Sequence, residues 1–306
     1  MIPLKGVYTA LITPFDKEGN LDEEGLRQLI RHQIDNQIDG VVLLGSTGES
    51  PTVTKEEQKR IILTGREETS NKTLFMIGTG SYSTAQTIEN SVLAQKLGAD
   101  CALVVTPYYN KPTQEGLYQH FKALAKAVDL PIVIYNPPHR TGQNLLTETL
   151  KRLLDIPTII GIKESTGNIT QMSEVVEVVR EWRPEFNVLT GDDALTLSMM
   201  ALGGCGVISV VSNLIPAKIK ELYLAAANGD FALARDLHYR LMPLFKAAFI
   251  ETNPIPIKAA MNLCGFPAGE CRLPLCALSV ENMSELQLTL SSNLYFDVFN
   301  RMTKQH

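Results

Sequence analysis

The sequence predicts an α/β fold: a (β/α)8 TIM barrel over residues 1–228, followed by a small C-terminal helical region over 229–306. Three observations carry this. Short apolar runs recur eight times, each leading into an amphipathic stretch, and the 306 residues suffice to bury a large core. No Pro/Gly/Ser-rich linker or low-complexity segment divides the chain. Alternating strands and helices call for a parallel sheet with crossovers, and eight units is the count that closes a barrel. A doubly wound open sheet is the runner-up.

The units follow in order. GVYTALI (6–12) precedes LDEEGLRQLIRHQIDN, GVVLL (40–44) precedes TKEEQKRIILTGREE, LFMIGTG (74–80) precedes TAQTIENSVLAQKLG, and CALVV (101–105) precedes EGLYQHFKALAKAV. PIVIY (131–135), TIIGIK (158–163), FNVLTG (186–191) and GCGVISV (204–210) continue the series. After residue 228 the rhythm changes. DFALARDLHYRLMPLFKAAFI, PIPIKAAMNLCG and VENMSELQLTLSSNLYFDVFN read as helices with no further strand.

Composition excludes several function classes. The net charge of −5 is spread along the chain, which argues against a nucleic-acid or membrane-surface binder. Pro3, Lys5 and Pro14 interrupt the apolar N-terminus, and no run approaches the roughly 20 apolar residues of a spanning helix, so a soluble cytoplasmic protein is expected. Five cysteines, at 101, 205, 264, 271 and 276, lack paired CxxC spacing and read as buried reduced thiols. The histidines are scattered without an HExxH pattern, so no metal is expected.

The chemistry gathers at strand ends. In PTIIGIK the β-branched Ile159, Ile160 and Ile162 form a buried strand, and Lys163 closes it where an ammonium is expensive to desolvate. Residues at the C-terminal ends of barrel strands face the mouth that holds active sites. A structural lysine in a partly buried salt bridge is the competing explanation. After the second strand, GSTGES (45–50) sets two hydroxyls between glycines ahead of a helix beginning near Thr54, a turn able to hold a carboxylate. Such turns are common, and this one lacks the GK[ST] of a P-loop. TPYYNKP (106–112) and YNPPHRTG (135–142) end the fourth and fifth strands with phenols and an arginine. Each tyrosine alone reads as a residue packing under a loop; together with the lysine they converge on one rim. That set suits imine formation. A lysine with a pKa of about 10.4 needs roughly 4–5 kcal/mol to be a free amine at neutral pH, and an apolar strand end supplies part of this.

The set GSTGES, TPYYNKPTQEGLYQHF, YNPPHRTG, GIKESTGN, TGDDALTL and GGCGVISV resembles the dihydrodipicolinate synthase branch of the pyruvate-dependent class I aldolases, in the superfamily of N-acetylneuraminate lyase. The resemblance covers essentially the whole chain. It implies a lyase in which Lys163 forms a Schiff base with pyruvate. Tyr135 donates and accepts protons, Ser46 and Tyr109 complete its relay, and Tyr109 is lent by a neighbouring subunit. Thr47 takes the pyruvate carboxylate, Ile208 lines the pyruvate pocket and Arg140 holds the carboxylate of L-aspartate 4-semialdehyde. The implied product is 4-hydroxy-tetrahydrodipicolinate, for lysine and diaminopimelate biosynthesis, with no metal or organic cofactor. A homotetramer built from tight dimers is implied, although some members stop at the dimer.

Tyr108 with Tyr109, Arg140 and GDD at 191–193 favour the synthase branch, whereas Ser46 stands where the synthase generally has threonine and the lyase often has serine. Pro137, Pro138 and His139 depart from the small or apolar residues usual before that arginine. Another pyruvate aldolase, cleaving sialic acid or a keto-sugar acid, is the alternative, and a catalytically silent barrel is the reading from a different class. Gln86 and Tyr82 stand where family members regulated by lysine carry a glutamate and an asparagine, and Lys55 and Gln58 stand at histidine positions. A lost carboxylate and a gained cation disfavour a cationic effector, so lysine inhibition is expected to be weak or absent; a coupled assay with tens of micromolar lysine checks it.

Overall fold

In the computed structural model, which describes residues 2–70 and 72–291, eight parallel strands close into a barrel in chain order. They are β1 (Gly6–Ala10), β2 (Gly40–Leu43), β3 (Leu74–Gly78), β4 (Cys101–Val105), β5 (Ile132–Asn136), β6 (Ile159–Glu164), β7 (Asn187–Thr190) and β8 (Gly206–Ser209), and β8 pairs back onto β1 through Ile208 opposite Tyr8. The helices are α1 (Glu23–Asp35), α2 (Lys55–Thr69), α3 (Thr84–Lys96), α4 (Gln114–Ala127), α5 (Pro138–Thr141), α6 (Thr147–Leu153), α7 (Ile169–Trp182), α8 (Thr196–Leu202) and α9 (Pro216–Ala227). After the last barrel helix come α10 (Phe231–Ala247), α11 (Ile255–Leu263) and α12 (Val280–Ser291).

Helix starts follow from capping chemistry. Asp22, Ser83, Thr113 and Asn168 each accept a hydrogen bond from a first-turn backbone N–H, relieving donors that the helix itself cannot satisfy. Thr54 forms a full capping box with Glu57, so the start expected near Thr54 is its cap. The expected strands are present but shorter at several ends. The helix expected over 280–300 is present over Val280–Ser291, and the rest of that expectation, 292–300, lies outside the described residues.

The period-2 alternation of the strands sorts the core into two layers. Tyr8, Ala10, Val42, Met76, Leu103, Val133 and Tyr135 fill the barrel interior, whereas Val7, Val41, Phe75, Ile77, Ile132 and Ile134 pack outward beneath the helices. The cysteines form no disulfide. Cys101 and Cys264 are buried, Cys205 and Cys271 half-buried, and Cys276 exposed on the segment between α11 and α12, where the expectation of buried thiols fails. Among the described residues no helix is long and apolar enough to cross a membrane.

Candidate active site

Lys163 points into the barrel because β6 carries a bulge. Ile132 of β5 lies opposite Ile159, but Val133 lies opposite Gly161, leaving Ile160 as an extra residue. A one-residue insertion reverses every later side chain between the two faces of a strand. Ile160 packs in the interior, Ile162 packs outward, and Lys163 returns to the interior. Without the bulge, strict alternation from Ile160 would send Lys163 outward to the helices. Asn187 stabilises the irregularity, donating from Nδ2 to the Ile160 carbonyl at 2.8 Å. A Cβ on Gly161 would stand 2.8 Å from the Asn187 carbonyl oxygen, so the close approach of β7 requires glycine.

The lysine ends in a cavity of about 360 Å³ at the C-terminal mouth of the barrel. Tyr135 is its direct neighbour in the β5–β6 ladder, and Nζ lies 4.2 Å from the phenol ring centroid. Burial lowers the amine's pKa to about 7, the Arg140 guanidinium adds to the effect, and the Asp193 carboxylate opposes it. Burial pushes the Tyr135 phenol up, while the Arg140 charge and the hydroxyls of Ser165 and Ser46 hold it back. Gly191 makes room for both partners: a Cβ there would stand 2.0 Å from Ser165 Oγ and 2.4 Å from Lys163 Cε.

The opposite wall is the GSTGES turn. Ser46 and Thr47 border the cavity, and Thr47 Oγ1 accepts from Asn253 Nδ2 at 2.9 Å. Thr13 holds the turn from below, donating from Oγ1 to the Gly48 carbonyl at 2.7 Å. Glu49 closes the turn in the left-handed region, with φ of 52°. Its carboxylate is buried and accepts from Lys258 Nζ at 2.8 Å and from the Arg272 backbone N–H at 2.9 Å. Lys258 also donates to the carbonyls of Thr13 and Glu270, which satisfies all three of its protons. This buried pair ties the helices beyond the barrel to the turn facing Lys163.

Arg140 sits on the one-turn helix α5 after β5, borders the cavity and donates to the Asn253 carbonyl at 3.3 Å. The expected residues Lys163, Tyr135, Ser46, Thr47 and Arg140 thus share one cavity. Two others stand apart from it. Ile208 is fully buried in the interior layer, and Val210 borders the cavity two residues further along. Tyr109 is 89 % exposed, with a left-handed φ of 68° that is unusual for a bulky residue.

A model of the dihydrodipicolinate synthetase family matches residues 3–293. The chain belongs to that family. A 4-hydroxy-tetrahydrodipicolinate synthase of Protochlamydia amoebophila is 57 % identical over 288 residues, covering 94 % of this chain and 96 % of the relative. A solved dihydrodipicolinate synthase from Thermotoga maritima superposes with a TM-score of 0.93 at 44 % identity, covering 94 % of this chain and 98 % of that one. A dihydrodipicolinate synthase variant described as monomeric gives 0.92 at 44 % identity, covering 94 % of this chain and 95 % of its own.

Three further residues of this family member support the site, although none was assigned a role there from the sequence. Asp193 caps β8: its carboxylate accepts from Ser209 Oγ and from the backbone N–H groups of Val210 at 2.9 Å and Val211 at 3.1 Å, and burial raises its pKa to about 6. The GDD sequence was the available signal for it. Ser165 lies within GIKESTGN, two residues after Lys163, but nothing local gives it a role, and Asn253 gives no local signal because it joins the site from a distant stretch of chain.

Proposed function

We propose that this member of the dihydrodipicolinate synthetase family condenses pyruvate with L-aspartate 4-semialdehyde to give 4-hydroxy-tetrahydrodipicolinate, through a Schiff base on Lys163. The observation that carries this reading is a buried amine with a pKa of about 7 beside a buried phenol in one cavity. An amine half unprotonated at neutral pH can attack the pyruvate ketone, and Tyr135 can protonate the carbinolamine oxygen so that water leaves. The protonated imine withdraws electrons from the adjacent methyl group. Loss of a methyl proton to the phenolate gives an enamine, which attacks the aldehyde carbon. The substrate amine then adds to the imine carbon, closing the ring and freeing Lys163.

Thr47, oriented by Asn253, suits the pyruvate carboxylate, and the Arg140 fork suits the carboxylate of the second substrate. The exposure and left-handed backbone of Tyr109 support a role in a neighbouring copy across a dimer interface, within the homotetramer that the resemblance implies. A cytoplasmic location fits a reaction between two central metabolites.

Reduction with borohydride in the presence of pyruvate is expected to add mass at Lys163. Because attack requires the free amine, trapping at subsaturating pyruvate rises with pH and levels off above about 7, falling about tenfold per unit below it. Turnover of the semialdehyde run beside cleavage of N-acetylneuraminate tests the substrate. Preferential sialic-acid cleavage would assign the chain to the other branch.

A further inference from the structure

The cavity mouth carries a histidine that the steps above leave unused. His139 lies on α5 beside Arg140, exposed at the rim, and borders the same cavity as Lys163, Ser165 and Asp192. Its ring faces the Ser165 backbone carbonyl, and the Asp192 carboxylate lies near enough for each group to favour the other's charged form. A ring N–H directed at that carbonyl leaves the second nitrogen as an acceptor. The reaction has a task for an acceptor at the rim. The second substrate arrives as an ammonium, and its nitrogen must lose a proton before it can attack the imine.

We propose that His139, with Asp192 facing it, receives the ammonium group of the second substrate and removes the proton that must leave before ring closure. This role rests on the condensation reading above. The N–H bond breaks with its electron pair left on nitrogen, and the proton moves to the imidazole. That pair then forms the C–N bond to the imine carbon while the imine π pair moves onto the Lys163 nitrogen. Of the two protons left on the ring nitrogen, one passes to Lys163 Nζ. The C–Nζ bond then breaks with its pair kept by the departing amine, while the ring-nitrogen pair forms the ring C=N bond. The second proton leaves to solvent, and the imidazolium returns its proton to bulk water at the open mouth.

The charged and titratable groups facing His139 are Arg140 from its own helix, Lys163 from β6 and Asp192 from the loop after β7. The partly desolvated position of its ring against the rim, and then the Arg140 charge, keep the imidazole below its usual range, so it stands neutral and able to accept near pH 7.

The test separates the two half-reactions. At saturating pyruvate Lys163 is already committed as the imine, so the pH profile of kcat/KM for the semialdehyde reports the rim groups and not the lysine. The wild-type profile is expected to fall on an acid limb below the ordinary imidazole value of about 6.5. His139→Asn should remove that limb and lower kcat/KM for the semialdehyde by roughly a hundredfold. Borohydride trapping of pyruvate should stay at the wild-type rate. Asp192→Asn should move the limb to lower pH, because the carboxylate favours the imidazolium. A limb that persists in His139→Asn, or an equal loss of pyruvate trapping, overturns the proposal. A wild-type enzyme that traps pyruvate yet ignores the semialdehyde overturns the substrate assignment and this role with it.

Discussion

Replacing Lys163 with methionine is expected to abolish turnover, by about a thousandfold or more, and at the same time to make the protein more stable. The first effect follows from chemistry: a thioether cannot form an imine, and borohydride with pyruvate should then add no mass. Arginine should fail as well, since a guanidinium stays protonated at any working pH. The second effect follows from burial. Lys163 is 5 % exposed, and its amine titrates near 7 where an unfolded lysine titrates near 10.5. That difference costs the folded state on the order of 5 kcal/mol below pH 7, where both states are protonated.

The sign runs with pH. As pH rises from 7 towards 10.5 the folded amine is already neutral while the unfolded one is still charged, so the penalty shrinks and finally disappears. Methionine fills similar volume without a charge, so its stabilising effect should be largest at or below pH 7 and fade in alkaline buffer. Thermal unfolding at pH 6.5 and at pH 9.5 measures this. A variant that is inactive but no more stable at pH 6.5 would mean that the lysine is not held against its solvation preference, and the account of its nucleophilicity would fall with it.

The barrel was legible in the sequence because its signal is repeated eight times, and five of the helices that follow the strands begin at a capping side chain. The lysine was legible because its charge interrupts an apolar run at a strand end. What aims it was not. In TIIGIK apolar residues occupy both faces, so alternation cannot reveal that Ile160 is an extra residue, and only the pairing of Val133 with Gly161 shows the reversal. The turn residues Ser46 and Thr47 were legible as donors near a helix start. Their support was not, since Thr47 is oriented by Asn253 and Glu49 is neutralised by Lys258, partners more than 200 residues away whose local sequences look like ordinary helix flanks. Gly191 reads as a turn residue, and only the Lys163 and Ser165 atoms beside it explain why nothing larger fits.

The buried pair gives the second large effect. Lys258 and Glu49 are 1 % and 2 % exposed, so neither charge can fall back on water if the other is removed. Lys258→Met should leave the Glu49 carboxylate with the Arg272 N–H but without its hydrogen-bonded counter-charge, and loss of one partner of such a pair costs about 3–5 kcal/mol. For a chain of this size that is a fall in Tm of roughly 6–10 °C. Glu49→Gln combined with Lys258→Met should recover much of the loss, because no unpaired charge then remains. The pair also bears on the site. The Glu49 N–H donates to the Ser46 carbonyl at 3.1 Å, and Lys258 holds the Thr13 carbonyl while the Thr13 hydroxyl holds Gly48. Loosening the pair therefore loosens the turn proposed to receive the pyruvate carboxylate. Lys258→Met should raise KM for pyruvate several-fold at a temperature where the variant is still folded, with kcat less affected. If Tm falls and KM stays fixed, the pair stabilises the fold without positioning the turn; if Tm does not fall, the charges are not as deeply committed to each other as their burial requires.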